Sequence, residues 1–177
     1  YVLCQLGLLD GTDLLNKDSI MKELSEKLIT ILYGSGKTIS TAESCTGGGI
    51  AASIVAVSGS SDYFKGGIVS YCNEVKERLL GVNPKTIEEY GVVSAQVAEE
   101  MCEGAINAIR TDYAISITGC AGPDGGTPKV PVGTIWIGYG KLGDIHTYKI
   151  TEDLGRTNNL KNATQKALEL IIMYLSC

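Results

Sequence analysis

Short apolar runs alternate with segments of helical period along most of this chain, and that alternation restricts the fold more than any other feature. Thr38–Glu43 reads as a strand and Gly47–Val57 as a small apolar helix, ended by Gly59, Ser60 and Ser61. Ile68–Cys72 reads as a second strand, followed by a helix that starts at Asn73 and stops at Gly81. A short helix begins after Pro84, and Ser94 caps a longer one with Val97, Met101, Ala105, Ala108 and Ile109 on one face. Tyr113–Thr118 is a buried strand, Gly119–Val132 a long loop, and Thr134–Tyr139 with Ile145–Ile150 a hairpin around Gly140–Gly143. Two amphipathic helices bracket these elements. The first carries Ile20, Met21, Leu24, Leu28, Ile31 and Leu32 behind a cap at Asp18 or Ser19, and the last runs over Leu160–Leu175. The expected fold is α/β, a mixed and mostly parallel sheet with an antiparallel portion from the late hairpin.

At 177 residues, with 44% hydrophobic residues and only 4 prolines, the chain forms one compact domain. Its net charge of −5 leaves no surplus of Lys and Arg to displace counterions, which argues against broad binding to nucleic acid or anionic lipid. The longest apolar run, Ile50–Val57, is too short to span a bilayer, and the first residues lack the pattern of a signal peptide; the cytoplasm is the default compartment. Residues 1–18 are expected to be an N-terminal extension or the remnant of a linker, and residues 19–177 the domain proper. Six cysteines without a C-x-x-C pair read as reduced thiols, and with one histidine no metal site is expected.

Three segments could carry chemistry. In the first, Ser44 sits between a strand and a helix and is followed by Thr46, Gly47, Gly48 and Gly49. Ligands of open α/β sheets bind at such a strand end, and the N–H groups of a helix start can hold an anion or an oxyanion. Plain capping by Ser44 or Thr46, with the glycines serving tight packing, fits the local pattern equally well. In the second, Lys76 falls in the first turn of a helix headed by Asn73, where the helix dipole disfavours a cation. That field and burial would lower its pKa toward the range of a general base, although a solvated lysine is the commoner outcome of this spacing. Tyr71 nearby reads equally as a core aromatic.

The third segment is Thr118–Gly126, whose glycines after a buried strand suit a backbone cradle for a phosphate or ribose, with Asp124 accepting from hydroxyls. Plain turn geometry is the alternative. Arg156 at the start of the last helix could meet a phosphate or lie exposed. Cys45 could rival Ser44 with His146 as its base, although His146 reads as solvated. Lys65 reads as surface and Trp136 as core.

Several ordered stretches together resemble the CinA C-terminal domain family over about Met21 to Leu175. They are TAESCTGG at 41–48, GSSDYFKGGIVSYCNEVK at 59–76, LLGV at 79–82, GVVS at 91–94, ITGCAGPDGG at 117–126 and PVGTIWIG at 131–138. The resemblance implies a three-layer α/β/α sandwich that hydrolyses the amide of nicotinamide mononucleotide to nicotinic acid mononucleotide and ammonia. It places the nucleophile on Ser44 and the base on Lys76, with Tyr71 assisting. Thr46, Gly47, Gly48, Asn73, Thr118, Gly119, Ala121, Gly122, Asp124 and Gly125 would line the substrate pocket, and Arg156 would meet the phosphate. No cofactor or metal is implied. The expected partner is a small pyridine mononucleotide, not nucleic acid or membrane, and the chain itself is expected to pair as a homodimer or larger homo-oligomer. Many relatives also carry a large N-terminal nucleotide-processing domain. The alternative role is a non-catalytic nucleotide-binding or regulatory module linked to competence or DNA damage. A serine hydroxyl needs a base within reach, and with the one histidine badly placed, lysine is the best candidate that remains.

Overall fold

The computed structural model describes residues 11–177, with side chains from Ser19 onward. In chain order the elements are α1 (Gly11–Leu32), β1 (Ile39–Glu43), α2 (Gly49–Val55), a 3-10 turn at Ser60–Asp62, β2 (Phe64–Val69), α3 (Asn73–Leu80) and α4 (Pro84–Tyr90). There follow α5 (Ala95–Ile109), β3 (Tyr113–Gly119), β4 (Ile135–Lys141), β5 (Asp144–Ile150) and α6 (Arg156–Leu175). The first ten residues of the expected extension lie outside the described residues, and α1 runs through both expected caps, Asp18 and Ser19.

The strands form one sheet in the order β2-β1-β3-β4-β5. β1 pairs in parallel with β2 and β3, and the β3–β4 and β4–β5 pairings are antiparallel, so β4 alone runs against the other four strands. Helices cover both faces. On one, α1, α2 and α6 bury Leu28, Leu32, Ile50, Ile54, Leu168 and Ile171 against Ile39, Ile115, Ile135 and Ile137 of the sheet. On the other, Val97, Met101, Cys102, Ala105 and Ile106 of α5 meet Ala42 and Ala114, with Leu80 of α3 closing the cluster. Burial of these side chains, each contributing roughly 1.5–3 kcal/mol when large and aliphatic, is the main drive to the three-layer arrangement. Among the described residues no helix is long and apolar enough to cross a membrane.

Several elements depart from the sequence reading; α6, for one, begins at Arg156 instead of Leu160. β2 lies at Phe64–Val69 instead of Ile68–Cys72, because Gly66 and Gly67 belong to the strand. A Cβ on Gly67 would overlap the Thr41 hydroxyl of the neighbouring strand, so glycine there permits close pairing instead of breaking it. The α2 helix starts at Gly49, since Gly47 and Gly48 have φ of 61° and 104° and form a left-handed turn. On α5, Ala108 is exposed and Ile109 only half-buried; Cys102 and Ile106 take their places in the core.

Candidate active site at the carboxyl edge of the sheet

Ser44 leaves the carboxyl end of β1, where its N–H donates to the Ile117 carbonyl of β3 at 3.0 Å. The residue is 8% exposed, and its hydroxyl lies 2.9 Å from Lys76 Nζ. Lys76 is 1% exposed, which overturns the solvated reading of that lysine. Its side chain runs back toward the start of α3, as long side chains on helices do, and Nζ donates to the Ser70 carbonyl at 2.6 Å. Burial pushes its pKa below the ordinary lysine value, opposed by the nearby Cys72 and Cys45 thiols. A neutral amine in this position donates one N–H to Ser70 and turns its lone pair toward the Ser44 hydroxyl. An amine so placed has the geometry of a general base for a serine hydroxyl, with no histidine involved. Asn73 does not cap α3: it is the first helical residue, and Cys72 takes the capping position without a side-chain bond.

The helix start behind Ser44 differs from expectation in a way that matters chemically. The buried carboxylate of Glu43 fills it. Glu43 Oε2 accepts from Thr46 Oγ1 at 2.6 Å, from Gly48 N at 3.1 Å and from Ile50 N at 3.0 Å, and Oε1 accepts from Ala51 N at 2.8 Å. The Gly47 N–H donates to the Ser44 carbonyl at 3.1 Å. Thr46, Gly47 and Gly48 therefore hold the chain's own carboxylate and turn, not a ligand, and none of them lines the cavity at Ser44. Thr46 faces a separate groove between α1, α2 and α6. The amides in this turn that lack a main-chain or carboxylate partner are those of Cys45 and Thr46, directly after Ser44.

The other expected residues meet in one place. Ser44, Tyr71, Asn73, Lys76, Thr118, Gly119, Ala121, Gly122, Asp124, Gly125 and Arg156 line a single cavity of about 300 Å³. Tyr71 is 64% exposed at its rim, so it is not a core aromatic. Arg156 Nη1 donates to the Gly122 carbonyl at 2.7 Å, and Nη2 lies 3.5 Å from the Tyr71 hydroxyl. The guanidinium thus bridges the 118–126 loop and the rim. Thr118 Oγ1 donates to the Val92 carbonyl at 2.8 Å, which brings the GVVS segment to the wall. Larger cavities occur elsewhere, such as one of about 570 Å³ between α1 and α2, but the hydroxyls of Ser25 and Ser53 in its wall donate to main-chain carbonyls.

Two residues at the site escaped the sequence reading. Glu43 is one; its signal was an acid placed just before a helix start, where carboxylates are stabilised. Asn159 is the other, 2% exposed on the first turn of α6. Its Nδ2 donates to the Ala121 carbonyl at 3.1 Å and to Asp153 Oδ1 at 2.9 Å, while its Oδ1 accepts from Leu154 N at 2.7 Å. It ties the loop to the turn that carries Arg156, and nothing in its local sequence announces this.

The rival nucleophile fails on two counts. Cys45 is buried, which pushes its thiol up to about 12, so thiolate is scarce near neutral pH. His146 lies against Tyr139 on the edge strand β5, separated from β1 by β3 and β4, and does not line the cavity at Ser44. Lys65 lies outside the cavity and donates to the Ser61 and Asp62 carbonyls, and Trp136 is half-buried with Lys149 Nζ 5.6 Å above its ring. Among the described residues no group of three or more His, Cys, Asp or Glu is placed to hold a metal ion.

A family model of the CinA C-terminal domain matches residues 21–175. The nicotinamide-nucleotide amidohydrolase PncC of Escherichia coli K12 is 48% identical over 122 residues, 69% of this chain and 74% of that protein. A protein of Halothermothrix orenii, named for competence-damage induction, is 43% identical over 153 residues, 86% of this chain but 37% of its own length. The crystal structure of the competence/damage inducible protein CihA from Agrobacterium tumefaciens superposes with a TM-score of 0.85 at 36% identity, covering 89% of this chain and 96% of that one. With the fold, the ordered motifs and the family model in agreement over nearly the whole described chain, this protein belongs to the CinA C-terminal domain family.

Proposed function

We propose that the chain hydrolyses the carboxamide of nicotinamide mononucleotide, releasing ammonia and nicotinic acid mononucleotide. The observation that carries this is the buried Ser44–Lys76 pair at 2.9 Å, opening on a cavity with Arg156 at its wall. The relative of E. coli named as a nicotinamide-nucleotide amidohydrolase supports the choice of substrate. Ser44 Oγ attacks the amide carbonyl as Lys76 Nζ takes its proton. The Cys45 amide, directly after Ser44 at the cavity wall, is the donor toward the oxyanion that forms. The intermediate collapses when the Lys76 ammonium gives its proton to the departing nitrogen, leaving an ester on Ser44 and free ammonia. Lys76 then deprotonates a water molecule, which attacks the ester, and the Lys76 ammonium returns that proton to Ser44 Oγ as the acid leaves. Arg156 recognises the phosphate, as a planar guanidinium suits that group.

Ammonia release and formation of the acid mononucleotide from purified protein test the proposal. Ser44→Ala abolishes both if Ser44 is the nucleophile; full turnover by that variant sinks the mechanism.

A further inference from the structure

Two independent sets of hydrogen bonds converge on Glu43. Its side chain takes four donors from the segment that follows Ser44, as described above, with Glu43 itself 1% exposed. Its main-chain carbonyl accepts from Ser70 N at 2.8 Å, and the Ser70 carbonyl in turn holds Lys76 Nζ at 2.6 Å. One residue therefore fixes the turn bearing the serine and the strand exit bearing the lysine's anchor. A helix start alone would leave Ser44 on a glycine-rich turn free to shift; Gly47 and Gly48 supply no side chain to restrain it. A built-in carboxylate with four donors removes that freedom.

We infer that Glu43 is the positioning residue of this site, setting the Ser44 hydroxyl on Lys76 without touching the substrate. The assignment rests on the reading of Ser44 and Lys76 as nucleophile and base. Because Glu43 lies outside the cavity lining, its loss changes the chemical step and not substrate affinity. A displacement of about 1 Å between reacting groups costs on the order of 10²-fold in rate.

The test compares wild type with E43Q, which keeps the shape but turns one acceptor oxygen into a donor facing backbone N–H groups. Two readouts are taken. The first is kcat and KM for nicotinamide mononucleotide. The second is the rate at which a fluorophosphonate probe labels Ser44, which needs no knowledge of the substrate. E43Q is expected to lower kcat by about 10²-fold with KM unchanged, and to slow labelling in proportion. Wild-type kcat and labelling in a folded E43Q overturn the assignment, as does a loss confined to KM. Should E43Q not fold, T46V carries the test by removing only the 2.6 Å hydroxyl contact to the carboxylate. Slower labelling at unchanged KM then supports the assignment, and wild-type labelling overturns it. If wild type labels at Ser44 but releases no ammonia, the substrate proposal fails while the labelling comparison still decides the role of Glu43. If Ser44 in wild type neither labels nor turns over, both fall together.

Discussion

Replacing Lys76 with Met separates what this lysine does for catalysis from what its burial does to the fold. Met keeps most of the aliphatic stem and deletes the amine. Among the described residues no other base touches the Ser44 hydroxyl, so kcat falls by the full contribution of a general base, about 10²–10⁴-fold. The stability change has two opposed parts. The Ser70 carbonyl loses its 2.6 Å donor, and an orphaned buried acceptor costs about 1–3 kcal/mol. Against this, the variant no longer has to bury an amine whose charged form is penalised by desolvation. The balance shifts with pH in a fixed direction. The folded pKa of Lys76 is lowered from 10.5, so between the folded and unfolded values the unfolded chain binds more protons and wild-type stability rises with pH. The Met variant lacks this rise. Its deficit relative to wild type is therefore small near neutral pH and grows toward about 1–3 kcal/mol at high pH, where only the lost hydrogen bond remains. Urea unfolding of both proteins at about pH 7 and about pH 9.5 measures the difference directly, since every other titrating group is common to the pair. A deficit that is the same at both pH values refutes the claim that burial lowers this pKa. Retention of near wild-type turnover refutes the role of the amine.

Cys45→Ala is expected to keep turnover of nicotinamide mononucleotide near the wild-type rate, because a thiol pushed up to about 12 supplies almost no thiolate at neutral pH; an inactive, folded variant would restore it as the nucleophile. Asn159→Ala leaves the Ala121 carbonyl and the Leu154 N–H without their partners and frees the Arg156 turn from the loop. An orphaned buried group costs about 1–3 kcal/mol, so KM is expected to rise about tenfold or more with kcat largely kept; steady-state kinetics showing an unchanged KM would rule the clamp out.

The layers were legible because strand and helix periods differ and the sheet is buried on both faces. β1 (ISTAE) and β3 (YAISITG) are mostly Ile, Ala, Ser and Thr, and the Gly81 and Ser94 boundaries follow from helix-end chemistry alone. β2 was misplaced for a physical reason. Its burial alternates, and Gly66 and Gly67 weaken every local strand preference; what makes them strand residues is the Thr41 side chain on the adjacent strand. That contact spans more than twenty residues of sequence and leaves no trace within a local window. Ala108 failed similarly, since helical period places a residue on a face only to within the width of the apolar stripe.

The site divides along the same line. Residues whose role depends on one motif, Ser44, Lys76 and the 118–126 loop, came together as the motifs suggested. The glycine-rich helix start did not, and the reason reaches beyond this turn. A cluster of unpaired N–H groups is read from sequence as an anion site, yet the anion can be the chain's own carboxylate placed a few residues earlier. Here Glu43 occupies Gly48, Ile50 and Ala51, so those three N–H groups are not open to a bound anion. The cationic group at the cavity is instead Arg156 on the far wall, where it bonds the loop carbonyl of Gly122. The helix start thus serves neither task for which it first seemed suited. It holds the Glu43 carboxylate beside the Ser44–Lys76 contact, and a sequence motif alone cannot separate a bound phosphate from a built-in carboxylate.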